Sequence, residues 1–93
     1  MNIVKMLQLS TFHIKESTSI WLEEHQRYSL PLIVYSKAEY GWFIPIIKGW
    51  KDDVLHIPDD LVTIIEFAEG EGIEWVMLDR DCDLVSHLPI YQW

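Results

Sequence analysis

The stretch Leu32–Ile47, LIVYSKAEYGWFIPII, constrains the fold of this chain more than any other. Two apolar runs, Leu32–Tyr35 and Trp42–Ile47, are joined by the polar segment Ser36–Gly41. Short β-branched and aromatic runs flanking a Gly-containing turn predict a β-hairpin. Pro45 has no N–H to give a ladder, so its strand is expected at an edge or ending in a bulge there.

Helical patterns lie on both sides of the hairpin. Before it, Ile14, Thr18, Trp21, Leu22 and His25 share one face of a helix, with Glu16, Glu23, Glu24 and Arg27 opposite. Ser17 could cap that helix, or it begins near Lys15. Pro31 closes the segment and pushes Leu30 toward extended geometry. After the hairpin, Lys48–His56 reads as a loop hinged at Gly49. Pro58 suits a first helical position, and Asp59 and Asp60 suit the positive helix N-terminus. Leu61, Ile64, Ile65 and Ala68 form the apolar stripe, and Gly70 or Gly72 ends the helix. The outer strands are Ile3–Leu9, expected to be buried on both faces, and Ile73–Leu78. Asp79–Asp83 is a turn, Leu84–Val85 the start of a short fifth strand, and Leu88–Trp93 an aromatic tail.

The order β-α-β-β-α-β predicts a two-layer α+β domain, residues 1–93, with two helices on one face of an antiparallel sheet. The ferredoxin-like arrangement is its commonest form. At 93 residues there is room for one core only. Apolar residues at 49% and aromatics at 13% exclude disorder. Ile73–Leu78 is apolar on both faces, so the sheet face away from the helices is expected to be covered by Leu88–Trp93 or by a homodimer contact. Trp21 and Trp75 fall at core positions. Trp42, Trp50 and Trp93 flank turns or the terminus, where partly exposed aromatics serve interfaces.

Charge is the most informative functional feature. Residues 1–51 hold four acids and six bases, net +2, whereas residues 52–83 hold eleven acids and one base, net -10. Without a basic stripe, direct nucleic-acid binding is disfavoured. Asp59, Asp60, Glu66, Glu69, Asp79, Asp81 and Asp83 are the expected partner-binding residues, with Trp93 as a second contact. A basic protein is the expected partner. The single Cys82 excludes an intrachain disulfide and indicates a reducing compartment. There is neither a signal-peptide pattern nor an apolar run long enough to span a membrane. A cytoplasmic, non-membrane protein is expected.

Leu9-Ser10-Thr11-Phe12-His13-Ile14, Glu39-Tyr40-Gly41-Trp42-Phe43, Pro58-Asp59-Asp60-Leu61, Asp79-Arg80-Asp81 and Leu88-Pro89-Ile90-Tyr91-Gln92-Trp93 follow one another in that order. Together they resemble a small family of uncharacterised bacterial and phage proteins of about this length. That family runs Leu-Ser-Thr-x-His-Ile, Glu-Tyr-Gly-Trp-Phe, Asp-Arg-Asp-Gly and Leu-Pro-x-Tyr-x-Trp. Cys82 stands where the family has Gly, and Lys15 where it has a helix-capping Thr. The resemblance implies a bacterial or phage setting, often on mobile elements, and carries no activity. In that setting a nucleic-acid-binding defence enzyme is a natural basic partner, with carboxylates standing in for phosphates.

Catalytic and metal motifs are weak. Asp79, Asp81 and Asp83 mimic the start of a calcium loop, but Leu84 stands where that loop needs Gly and Ile90 where it needs Glu. His13, His25, His56 and His87 lack zinc spacing. No metal, cofactor or catalytic residue is expected. The alternative reading is a ligand-binding loop or small enzyme using Ser10, Thr11 and His13, with Cys82 as a nucleophile from elsewhere. The bland reading has Ser10 and Thr11 satisfying turn groups and His13 packing with a bonded ring nitrogen. Asp81 and Asp83 beside Cys82 raise its thiol pKa and disfavour an activated nucleophile. An antitoxin or adaptor using the aromatic tail is the third reading.

Overall fold

The computed structural model describes residues 1–25 and 31–93, and of His25 only the backbone. The expected places of the His25 side chain, Arg27 and Leu30 lie outside the described residues. Four strands, β1 (Met6–Leu9), β2 (Tyr35–Lys37), β3 (Gly41–Pro45) and β4 (Trp75–Asp79), form one sheet in the order β1-β4-β3-β2. Helices α1 (Glu16–His25) and α2 (Asp59–Gly70) pack on it, and 3-10 turns cover Thr11–His13 and Trp50–His56. The protein is an α+β fold in the expected element order.

The sheet is mixed where an antiparallel, ferredoxin-like one was expected. β1 runs parallel to β4, and β3 is antiparallel to both β4 and β2. Side-chain character explains the order. β4 buries Val76, Met77 and Leu78 on both faces, so it takes an interior place. β1 carries the exposed Met6 and Gln8, which suit an edge. Burial of Ile3–Leu9 on both faces is therefore corrected: Ile3 is 86% exposed and Val4 50%, and Leu9 alone of that strand is fully buried.

The hairpin is present with a shifted first strand. Tyr35 pairs with Phe43, Ser36 with Trp42 and Lys37 with Gly41. Leu32 and Val34 are buried before the strand begins, and the turn narrows to Ala38–Tyr40, with Ala38 at φ 48°. β3 is interior rather than an edge strand. Pro45 ends it, and the next residue, Ile46, donates to the Glu74 carbonyl at 2.8 Å. Gly41 is required in the ladder, because a Cβ there would stand 1.7 Å from the Leu78 carbonyl oxygen.

Rows across the sheet alternate between its two faces. Leu7, Val76 and Ile44 form one inner row, and Leu9, Leu78 and Trp42 the next. These meet Ile14 and Leu22 from the α1 side and Leu61, Ile64, Ile65 and Ala68 from α2 in a single core. Gly72, at φ 72°, stops α2, with Ile73 N–H bonded back to the Ala68 carbonyl at 2.9 Å. Within the expected loop, Trp50–His56 is 3-10 helix. Its Trp50 is 2% exposed, and its indole N–H donates to Glu69 at 3.0 Å. Trp42 is likewise buried, so two of the three tryptophans that flank turns or the terminus are core residues, while Trp21 and Trp75 are half-buried.

The outer sheet face shows Met6, Trp75, Phe43 and Tyr35, which with Val4 border a shallow apolar cavity of about 560 Å³. The tail does not cover it. Tyr91 N–H donates to the Phe12 carbonyl at 2.7 Å, and the Trp93 indole donates to the Ile14 carbonyl at 2.8 Å. Leu88–Trp93 thus lies along the β1–α1 connection, where unsatisfied turn carbonyls receive it. Leu84–Val85 forms no strand.

Candidate functional site

Asp60 lies in the first turn of α2 but is 5% exposed. Its carboxylate accepts from Lys15 N–H at 2.7 Å, Thr18 hydroxyl at 2.8 Å and Leu61 N–H at 3.0 Å. It satisfies an N–H in the first turn of its own helix and clamps the start of α1 through Lys15 and Thr18. Asp79, 6% exposed, accepts from the Lys37 ammonium and from Asp81 N–H at 2.7 Å. Lys37, Gly41 and Asp79 share one row of the sheet, so the missing side chain at Gly41 lets Lys37 reach across β3. Hydrogen bonding from Lys37, then from Asp81 N–H, holds the Asp79 carboxyl below the usual range. The same bond raises the Lys37 pKa. Asp60 and Asp79, expected among the partner-binding residues, are buried and spend their carboxylates on these internal bonds.

The exposed acids on α2 are mostly neutralised. Asp59 pairs with Lys15 at 3.4 Å and Glu69 with Lys51 at 3.3 Å. The Trp50 indole, then Lys51, lowers the Glu69 pKa. Glu66, Asp81 and Asp83 are exposed, with no ion pair among the described residues.

The Ser10–Thr11–His13 group separates. Ser10 Oγ accepts from Phe12 N–H at 3.1 Å, a turn cap. His13 is 1% exposed; Nδ1 donates to the Pro89 carbonyl and Nε2 accepts from Val85 N–H, both at 2.8 Å. With both nitrogens committed, His13 is a staple for the C-terminal segment and has no base role. Burial, then Asp79, raises the Cys82 thiol pKa, which disfavours a thiolate there. Thr11 is different: it is 7% exposed, it lines a cavity, and its hydroxyl makes no hydrogen bond among the described residues. No group of three or more His, Cys, Asp or Glu among the described residues could hold a metal ion. No helix there is long and apolar enough to cross a membrane.

That cavity has a volume of about 840 Å³. It opens where α1, the hairpin turn, the end of β4 and the tail converge. Its walls hold three carboxylates (Glu23, Glu24, Glu39) and four aromatic rings (Phe12, Tyr40, Trp42, Trp93). The Trp42 indole N–H donates to Glu23 Oε1 at 3.0 Å, fixing that carboxylate. Phe12 and Trp93 meet edge to face at 6.2 Å and are 40% and 45% exposed. Arg80 lies over Tyr40 at 4.9 Å and donates its backbone N–H to the Tyr40 carbonyl. None of the three carboxylates has an ion-pair partner among the described residues. Charge counting by segment missed the site, because Glu23, Glu24 and Glu39 lie in the half of the chain with net positive charge. The signal present was the Glu-Tyr-Gly-Trp-Phe motif together with Phe12 and Trp93.

Neither a curated protein nor a solved structure matches the chain. A family model does match, over residues 6–93, and it is described as "Family of unknown function (DUF5983) C-terminal domain". Nearly the whole sequence is covered, and the chain belongs to that family.

Proposed function

We propose that the protein is a non-enzymatic interaction module that captures a basic protein partner in the acidic, aromatic-walled cleft between α1 and the hairpin. One observation carries this reading. Lysines neutralise Asp59, Glu69 and Asp79 elsewhere, while the cleft leaves Glu23, Glu24 and Glu39 unpaired among the described residues. Unneutralised carboxylates beside partly exposed rings suit cationic side chains, which gain both from charge and from the ring faces. Glu66, Asp81 and Asp83 extend the negative field and steer the partner toward the surface.

A nucleic-acid-binding protein is the class of partner this fits, since its basic groove already meets phosphates. On a mobile element, occupying that groove would inhibit a host defence enzyme. The test is a pull-down from bacterial lysate with elution by salt. The Glu23→Lys/Glu24→Lys/Glu39→Lys protein should lose the captured partner, and Glu66→Lys/Asp81→Lys/Asp83→Lys should keep it with weaker salt dependence. Equal capture by wild type and the cleft triple variant, both folded, would remove the cleft from the mechanism.

A further inference from the structure

We infer that the cleft reads an arginine side chain, presented by an extended basic segment of the partner, in preference to lysine; this rests on the cleft reading above. The argument begins with acceptors. Glu23 spends one oxygen on the Trp42 indole and keeps the other, and Glu24 and Glu39 have no partner among the described residues. Thr11, 7% exposed, lines the same cavity, and its hydroxyl has no hydrogen bond among the described residues, so it is a further acceptor open to a ligand donor. A guanidinium presents five N–H donors in one plane and can serve several such acceptors together. An ammonium is a compact, strongly hydrated point charge with three.

The rings point the same way. Planar guanidinium stacks on aromatic faces and gives up water more readily than ammonium does. The cleft wall already shows this contact in Arg80 over Tyr40 at 4.9 Å, nearer than the Lys37 ammonium over the same ring at 5.6 Å. Phe12 and Trp93 are the accessible rings for a second guanidinium. A cavity of about 840 Å³ has room for an arginine together with its flanking backbone, so the ligand is a peptide segment rather than a lone cation.

The experiment uses the ¹⁵N-labelled full chain and three peptides, Ac-Gly-Arg-Gly-Arg-Gly-NH₂ and its lysine and citrulline counterparts. The indole N–H signals of Trp42 and Trp93 report the cleft, and the remaining amides report the fold. The arginine peptide should shift both indoles and bind about fivefold tighter than the lysine peptide. Citrulline keeps the shape without the charge and should bind at least about tenfold more weakly than arginine. Glu39→Gln should weaken the arginine peptide with its amide spectrum otherwise unchanged. Equal affinity for arginine and lysine would overturn the arginine inference and leave the acidic, cation-binding cleft standing. Citrulline binding as tightly as arginine, or no indole shift from either charged peptide, would overturn both.

Discussion

Trp42 and Glu23 are joined by a 3.0 Å hydrogen bond from the indole N–H to the carboxylate, which ties β3 to the outer face of α1. Trp42 is buried and Glu23 is exposed, so the bond carries core order out to the cleft rim. Glu23→Gln keeps an acceptor and removes the charge. It should change stability by less than about 1 kcal/mol and weaken binding of a basic peptide several-fold. Trp42→Phe frees Glu23 and leaves a poorer core fit, costing about 1–2 kcal/mol. Thermal melts and peptide titrations separate the two, and a Glu23→Gln protein that binds like wild type would deny Glu23 a part in recognition.

Asp60 makes the second prediction. Asp60→Ala strands the Lys15 N–H and the Thr18 hydroxyl, and it removes the cap bond to Leu61. Two helices lose their starting geometry together, at a cost of about 2–4 kcal/mol. Asp59→Ala, beside it but exposed with a single lysine contact, should fall within about 0.5 kcal/mol of wild type. Urea unfolding of both variants checks this, and similar midpoints would refute a structural Asp60.

How far these roles were legible in the sequence depends on what each residue type can signal. Leu61, Ile64, Ile65 and Ala68 announced their helix by spacing, and all four are buried. Asp59 and Asp60 read alike because both suit a helix N-terminus. Only the docking of α1 against that terminus, 42 residues away in sequence, makes one of them a clamp. Strand order was hidden for a related reason. Local patterns mark strands but not neighbours, and the parallel β1–β4 pairing spans most of the chain. His13 looked like chemistry because its partners, Val85 and Pro89, lie in a segment without periodicity. The cleft draws on five separate segments, so no single window held it.

Lys37 and Asp79 set a pH window. Lys37, through its hydrogen bond, and then the Asp81 N–H lower the Asp79 pKa, so the folded state favours its ionised form. That stabilisation is full above an ordinary carboxylate value of about 4 and fades as pH falls through the depressed folded value. The Lys37 pKa is raised, so its share is full below an ordinary lysine value of about 10.4 and fades as pH rises through the folded one. Glu69, also lowered, adds to the acid limb. Asp79→Asn should therefore melt below wild type at pH 7, and the gap should close toward about pH 2. A gap that stays constant across that range would contradict the pairing.

The last prediction concerns His13, which holds the tail that forms one cleft wall. Nδ1 reaches Pro89 and Nε2 receives Val85, so one imidazole, in its Nδ1–H tautomer, fixes both flanks of segment 85–89. Beyond that staple, Trp93 is held by its indole bond to Ile14 and by the edge of Phe12. His13→Ala opens a core cavity and leaves the Val85 N–H unpaired, which should cost about 2–4 kcal/mol. The tail should loosen before the sheet does, because its remaining anchors are few. Hydrogen exchange should rise at Val85 and Tyr91 while Val76 and Leu78 in β4 stay protected. Basic-peptide affinity should fall with no acid removed, since Trp93 no longer stands in place. A His13→Ala protein with native protection at Tyr91 and unchanged peptide affinity would show that the staple is dispensable and that the cleft wall stands without it.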